Sequence, residues 1–223
     1  MPVFALFCIM RGQLLLKNLF VLLLMANRPL QAQQIEGIYR MSGGHEMVAV
    51  FEFKKDSSFQ FYFIYGAVDR NSSGHFTVQN GIIFLHAHKV PGKDFTVIRQ
   101  EQKGNGTSIK ITNPNIYLVK NVGGIFKKGN DIDQQISDAE GKMHSNLNDC
   151  DSVFVFHTLF PDVPTLIKRG AGDRNNYFEL GLNPSLAELS FQDFTLSISQ
   201  EGLTGSLPWL FEREKATFIK ESE

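Results

Sequence analysis

Phe59-Gln60-Phe61-Tyr62-Phe63-Ile64-Tyr65 places an aromatic ring at every second position. Side chains on an extended strand alternate between two faces, so Phe59, Phe61, Phe63 and Tyr65 share one face. A helix would scatter them around its circumference. This stretch is therefore a strand with one heavily apolar side, and its neighbours repeat the style. Glu36 to Met41 and Glu46 to Phe53 read as strands before it, separated by Ser42-Gly43-Gly44. Lys54 to Ser58 forms a polar turn, and His75 to Gln79 with Gly81 to His88 form a hairpin about Asn80-Gly81, the favoured two-residue turn pair.

The rest of the chain keeps this pattern of short aromatic and β-branched runs between turn residues. After the break at Lys103-Gly104-Asn105-Gly106, strands are expected at Ser108 to Ile111, Ile116 to Asn121 and Val153 to Leu159. Ile132 to Gly141 runs from a polar strand into a turn. Asn183-Pro184-Ser185-Leu186-Ala187-Glu188-Leu189 suits one or two helical turns, with Asn183 capping. Phe194, Leu196 and Ile198 alternate with polar residues, and Leu203 to Phe211 and Lys215 to Lys220 supply two closing strands. The chain is all-β.

Residues 1–32 differ in kind. They hold Arg11, Lys17 and Arg28, no acidic residue, and an apolar run from Leu19 to Ala26 followed by Asn27-Arg28-Pro29-Leu30-Gln31-Ala32. That order is the order of a secretory signal, with cleavage expected after Ala32. The run is shorter than the roughly 20 residues a spanning helix needs, so membrane contact is expected only through an uncleaved leader. Without residues 1–32 the formal charge falls from −1 to −4. No basic patch stands out, which argues against nucleic acid as a partner. One cysteine, Cys150, remains outside the leader, so no internal disulfide is available. The expected location is the periplasm or exterior of a bacterial cell.

Gly37-Ile38-Tyr39, opening a run of antiparallel strands, resembles the Gly-x-aromatic start of lipocalin-like barrels. The likeness covers residues 36–88, with 191–220 closing the sheet, and has Tyr39 where lipocalins favour Trp. It implies that Arg213 lies over Tyr39, as an arginine covers the barrel-opening tryptophan in such folds. Val119 to Ser145, with its Ser137-Asp138-Ala139-Glu140-Gly141 turn, is similar to a transthyretin-like or carboxypeptidase-regulatory-like β-sandwich. Together these imply a lipocalin-like antiparallel barrel or sheet, residues 33–102 plus 183–223, hosting an inserted β-sandwich at 103–182. Neither resemblance brings catalytic residues or a cofactor.

Two features invite a functional reading. Phe51, Phe53, Phe59, Phe61, Phe63 and Tyr65, with Phe76 and Phe84, sit on neighbouring strands in a chain of 20 phenylalanines. Their faces either fill a small barrel or line a cavity for a small apolar ligand. The second feature is His86-Ala87-His88, whose rings share a strand face. His75 across the hairpin, or His45 or Glu46, would be needed to complete a zinc site. A one-residue slip would send His75 to the other face. The expectation is a pair without high-affinity zinc, on a face that points inward at Ile82 and Phe84 and reaches the rim by the histidines.

No catalytic constellation emerges. Cys150 lies between Asp149 and Asp151, whose charges disfavour a thiolate. Neither Ser42-Gly43-Gly44-His45 nor Gly202-Leu203-Thr204-Gly205-Ser206 has Gly-x-Ser-x-Gly spacing, and Lys103-Gly104-Asn105-Gly106-Thr107 lacks P-loop spacing. The expected function is an exported binding or structural protein that holds a small apolar ligand or an envelope protein. The alternative is a metal-dependent or hydrolytic enzyme using His75, His86 and His88.

Overall fold

In the computed structural model, residues 35–43, 46–169, 172–206 and 215–222 are described. Residues 1–32, read above as a leader, and His45 and Arg213 lie outside them. The first strands are β1 (Gly37–Met41), β2 (Met47–Phe53), β3 (Ser58–Tyr65), β4 (Val68–Gln79) and β5 (Ile82–Ala87). The middle holds β6 (Phe95–Glu101), β7 (Thr107–Thr112), β8 (Val122–Lys128), β9 (Asp131–Ile136), β10 (Lys142–Ser145), β11 (Ser152–His157), β12 (Thr165–Lys168) and β13 (Tyr177–Leu182). The last are β14 (Thr195–Ser199), β15 (Gly202–Gly205) and β16 (Ala216–Lys220).

Strands β1–β5 and β14–β16 form a closed antiparallel barrel in the order β1-β16-β15-β14-β5-β4-β3-β2. Sequential strands are neighbours throughout, except that β5 to β14 is interrupted by everything between. The first and last thirds thus share one sheet, and β16 closes on β1 through Tyr39↔Lys220 and Arg40↔Ile219. Closure removes the open edges that five strands alone would leave exposed. Asn80 (φ 51°) and Gly81 (φ 76°) take the left-handed conformations of a type I′ turn, which matches the twist of the strands they join. At the opening, Gly37 has φ 133°, and a Cβ there would meet Lys220 Cε at 2.6 Å. Its missing side chain lets Lys220 cross, and the ammonium reaches 5.9 Å from the Tyr39 ring centre. A lysine is thus the cation over this tyrosine among the described residues.

The insert consists of two four-stranded sheets, β10-β7-β13-β6 and β12-β11-β8-β9. Phe95, Ile109, Ile111, Phe126, Val153, Val155, Phe178 and Leu180 pack between them. The insert begins earlier than residue 103, because β6 pairs with β13 rather than with the barrel. The Gly-rich stretch at 103–106 is not a domain break. Asn176 pins it, accepting from Lys103 N–H at 2.7 Å and donating to the Gly104 and Gly106 carbonyls. Ile116–Leu118 is a 3-10 turn rather than a strand, started by the Asn115 side chain accepting from Tyr117 N–H. Pro184–Ala187 is a second 3-10 turn, with Asn183 at its cap position but without a side-chain capping bond.

Charged residues fasten the insert to the barrel. Arg70 of β4 is 2% exposed. It donates to the carbonyls of Pro161 (2.8 Å), Glu188 (3.0 Å) and Ala187 (3.3 Å). Lys89 Nζ lies 2.7 Å from Asp94 Oδ1 and 2.8 Å from Asp162 Oδ2, and donates to Glu188 O at 2.8 Å. The Asp94 contact is an ion pair without hydrogen-bond alignment, so Oδ1 is compensated in charge but receives no directed bond. Asp162 also accepts from Ser190 N–H and Oγ–H. Burial pulls the Arg70 guanidinium down to about 10, opposed by Asp162 and Asp94. It remains charged at neutral pH. Burial raises the Asp94 carboxyl, opposed by Lys89.

Candidate functional site

The aromatic face of the barrel is packed. Phe51 lies 4.5 Å from Phe61, 5.0 Å from Phe218, 5.6 Å from Phe53 and 5.7 Å from Phe191, ring centre to ring centre. Phe53 meets Phe76 edge to face at 5.0 Å, and Phe59 lies 6.5 Å from Phe53. These are the spacings of aromatic rings in contact. Phe191 and Phe194 enter from the return segment that leads out of the insert. Phe191 holds φ 47°, costly for a bulky residue, while its ring sits among Phe51, Phe59 and Phe61. Phe51, Phe53, Phe59, Phe61 and Phe63 are therefore buried core residues rather than a lining around open space. Tyr65 departs from the set. It ends β3 and is 48% exposed.

The three histidines lie on the outside of the barrel wall. Ile83 and Leu85 are the buried residues of β5, so the alternation that includes Ile82, Phe84, His86 and His88 points outward from its start. The inward face expected for Ile82 and Phe84 is corrected by one residue, since both faces of this strand are apolar near its beginning. The register places His75 of β4 directly opposite His86. Their rings stack at 5.0 Å with 24° between planes. His88 lies on the same face, with Nδ1 3.3 Å from Ser73 Oγ.

A different concavity lies on the outer face of the insert's first sheet. Along β7, Thr107, Ile109 and Ile111 turn inward, leaving Ser108 and Lys110 outward. Along β10, Met143 and Ser145 turn inward, leaving Lys142 and His144 outward. The pairings Tyr177↔Ser108 and His144↔Ser108 set Tyr177, Ser108 and His144 in one rung across three strands. Glu179, Lys110 and Lys142 form the neighbouring rung.

Tyr177, Ser108, His144, Lys110 and Lys142 line a groove of about 600 Å³, with Lys103, Gln135, Ile136 and Asp138 at its sides. Lys103 Nζ sits 4.6 Å from the Tyr177 ring centre, within cation–π range. Ser108 Oγ and His144 Nδ1 are 2.9 Å apart. Asp138 is committed to its own turn, accepting from Glu140 N–H (2.9 Å) and Lys142 N–H (2.8 Å). The Lys142 bond, foremost, holds its carboxyl below the usual range. Lys110 donates to the Glu140 carbonyl, and Lys142 pairs with the Glu140 carboxylate.

The Ser108–His144 contact has half the parts of a nucleophile and base. Such a pair needs a third group orienting the imidazole and donors for an oxyanion. Here the other edge of the ring packs over Gly106, where a Cβ would meet Nε2 at 3.0 Å and Cε1 at 2.7 Å. The pair is a hydrogen-bonding element. Cys150 is buried, and its Sγ donates to Leu147 O at 3.5 Å. His157 is also buried, accepting from Leu159 N–H at Nδ1 and donating through Nε2 to Leu118 O, both at 3.2 Å. That is the neutral tautomer, and burial lowers its pKa.

Sequence reading missed Tyr177, Ser108 and His144 as a group. Alternation tells which way each points, but β13 joins β7 in parallel across some seventy residues of chain, and no local signal announces that. In comparisons with protein-family models, with characterised proteins and with solved structures, the chain matches none of them.

Proposed function

We propose that this chain is an exported, non-catalytic binding protein of the cell envelope, whose ligand is held on the insert rather than inside the barrel. The observation that carries this reading is the rung Tyr177–Ser108–His144 with Lys110 and Lys142 beside it. It offers one aromatic face, a hydroxyl, an imidazole and ammonium groups within one concave surface, the mixture by which small-molecule sites fix orientation. Lys103, Lys110 and Lys142 outnumber Asp138 among the lining residues, with Glu140 paired to Lys142, Glu101 to Lys103 and Glu179 beside Lys110. The ligand therefore carries an anionic group as well as a flat or apolar face. In this reading the barrel is the rigid mount. The basic, apolar and small order of residues 1–32 supports export, with Gln33 as the mature N-terminus.

The test uses the mature protein. Native mass spectrometry identifies co-purifying small molecules, and NMR titration of acidic and neutral aromatic compounds maps where they bind. Tyr177→Ala and Lys110→Glu each weaken binding by about tenfold or more, equivalent to about 1.4 kcal/mol. Ligand shifts confined to the barrel, or affinities unmoved by both variants, refute the groove. Recovery of residues 10–32 on the membrane-bound protein refutes cleavage after Ala32.

A further inference from the structure

We infer that the outer wall of the barrel carries a surface site for a divalent transition metal of the copper class, with His75 and His86 as its two protein ligands. The strand register, undecided by sequence, sets the two residues opposite one another as Cα partners. Their exposed rings stack 5.0 Å apart. Next to them, Gly74 opposes Ala87, and a Cβ on Gly74 would sit 2.1 Å from the His86 carbonyl oxygen. Only glycine permits the two backbones to come this close beside the pair.

Metal–imidazole bonds of about 2.0–2.1 Å require the two nitrogens to lie within about 4 Å of each other. Stacked rings at 5.0 Å meet that by tilting together, a side-chain motion that disturbs no backbone bond. The present contact of His86 Nε2 with Thr77 Oγ1 is long, at 3.4 Å, and is readily exchanged for a metal. Among the described residues no group of three or more His, Cys, Asp or Glu is placed to hold a metal. The site therefore has two nitrogens and open positions filled by water. Structural zinc prefers four protein ligands, whereas Cu(II) heads the affinity order of first-row dications and accepts tetragonal N,O coordination. His88 lies on the same face but two residues further along the chain, opposite Ser73 rather than His75, so it is a neighbour and not a ligand.

Titration of the tag-free protein with Cu(II), Ni(II) and Zn(II) separately, read by calorimetry and by copper EPR, tests this. The expected result is one Cu(II) per chain in a two-nitrogen environment, with affinity falling from Cu(II) to Ni(II) to Zn(II). His75→Gln and His86→Gln each lower copper affinity by about tenfold or more, while His88→Gln and His144→Gln leave it within about twofold. Circular dichroism of each variant reports its folding. If a variant is misfolded, histidine NMR line broadening by substoichiometric Cu(II) in the wild type replaces it, with His75 and His86 broadening first. Absence of one-to-one copper binding, equal binding by the His75→Gln/His86→Gln double variant, or zinc bound more tightly than copper each overturns the assignment.

Discussion

The barrel and the insert solve the same problem in opposite ways. Both are β-structures that must bury one face of every strand, the barrel wholly antiparallel and the insert with one parallel pairing, β13 on β7. In the barrel each strand has two partners and the phenylalanines fill the enclosed space. The insert uses two short open sheets, and each keeps two edge strands. Edge strands invite pairing with other chains and are usually blunted. Here β6 carries a bulge opposite Glu179 and Leu180, and Arg99 and Glu101 line its solvent side. A closed, filled body has little freedom to accept a ligand. An open sheet can present a polar rung outward while its other face builds the core.

The sharpest way to break this contrast is to remove the centre of the barrel. Phe51→Ala is expected to cost about 3–5 kcal/mol, because the surrounding rings cannot collapse into the space. Denaturant unfolding measures it, and a loss below about 1 kcal/mol would mean that the interior is loosely filled and able to hold a ligand. Next comes the junction. Lys89→Met leaves Asp94 and Asp162 facing each other in a buried site, at an expected cost of about 3–5 kcal/mol. Barrel and insert then unfold in separate transitions. A single unchanged transition would show that the ion cluster does not couple them.

A smaller effect comes from pH. His157 is neutral when folded, and burial, the main cause, lowers its pKa below the ordinary 6.5, with the Arg70 charge adding to the shift. Its stabilisation is present above pH 6.5 and is lost as the pH falls below that value, since the unfolded chain takes the proton more readily. Protonation at Nδ1 also costs the bond from Leu159 N–H. Asp94 works in the other direction. Its folded pKa is raised, so its contribution is present below 3.8 and is lost as the pH rises through the folded value. The wild type thus loses stability as the pH falls below about 6.5, and His157→Gln flattens that decline in urea midpoints measured across the acid range. An identical slope in both proteins would dismiss His157 as the cause. The smallest expected effect is at the groove. Tyr177→Ala changes stability by no more than about 0.5 kcal/mol, as an outward-facing residue, while ligand affinity falls. A large loss of stability would make Tyr177 a structural residue instead.

How far the sequence reached depends on the range of each interaction. Local alternation sufficed for Phe59–Tyr65, and Asn80-Gly81 sufficed for its turn, because both are decided within a few residues. Where a strand is apolar on both faces, as β5 is at Ile82-Ile83-Phe84-Leu85, alternation cannot say which face goes inward. The Gly-rich stretch at 103–106 misled for a related reason. Glycine marks a change of direction but does not say whether the next strand stays in the same sheet.

From the amino-acid sequence alone came the all-β class, the aromatic face of β3, the closing role of the last strands and the insertion of a second β-unit. All of these rest on periodicity, turn chemistry and composition, which act over short distances along the chain. The tertiary structure alone decided that Phe191 and Phe194 complete the barrel core and that Arg70 and Lys89 lock the insert in place. It also decided that His75 faces His86 and that Tyr177, Ser108 and His144 share a rung. Each of these joins residues through strand register or long-range pairing. A one-residue shift in either would exchange inside for outside without altering any local preference.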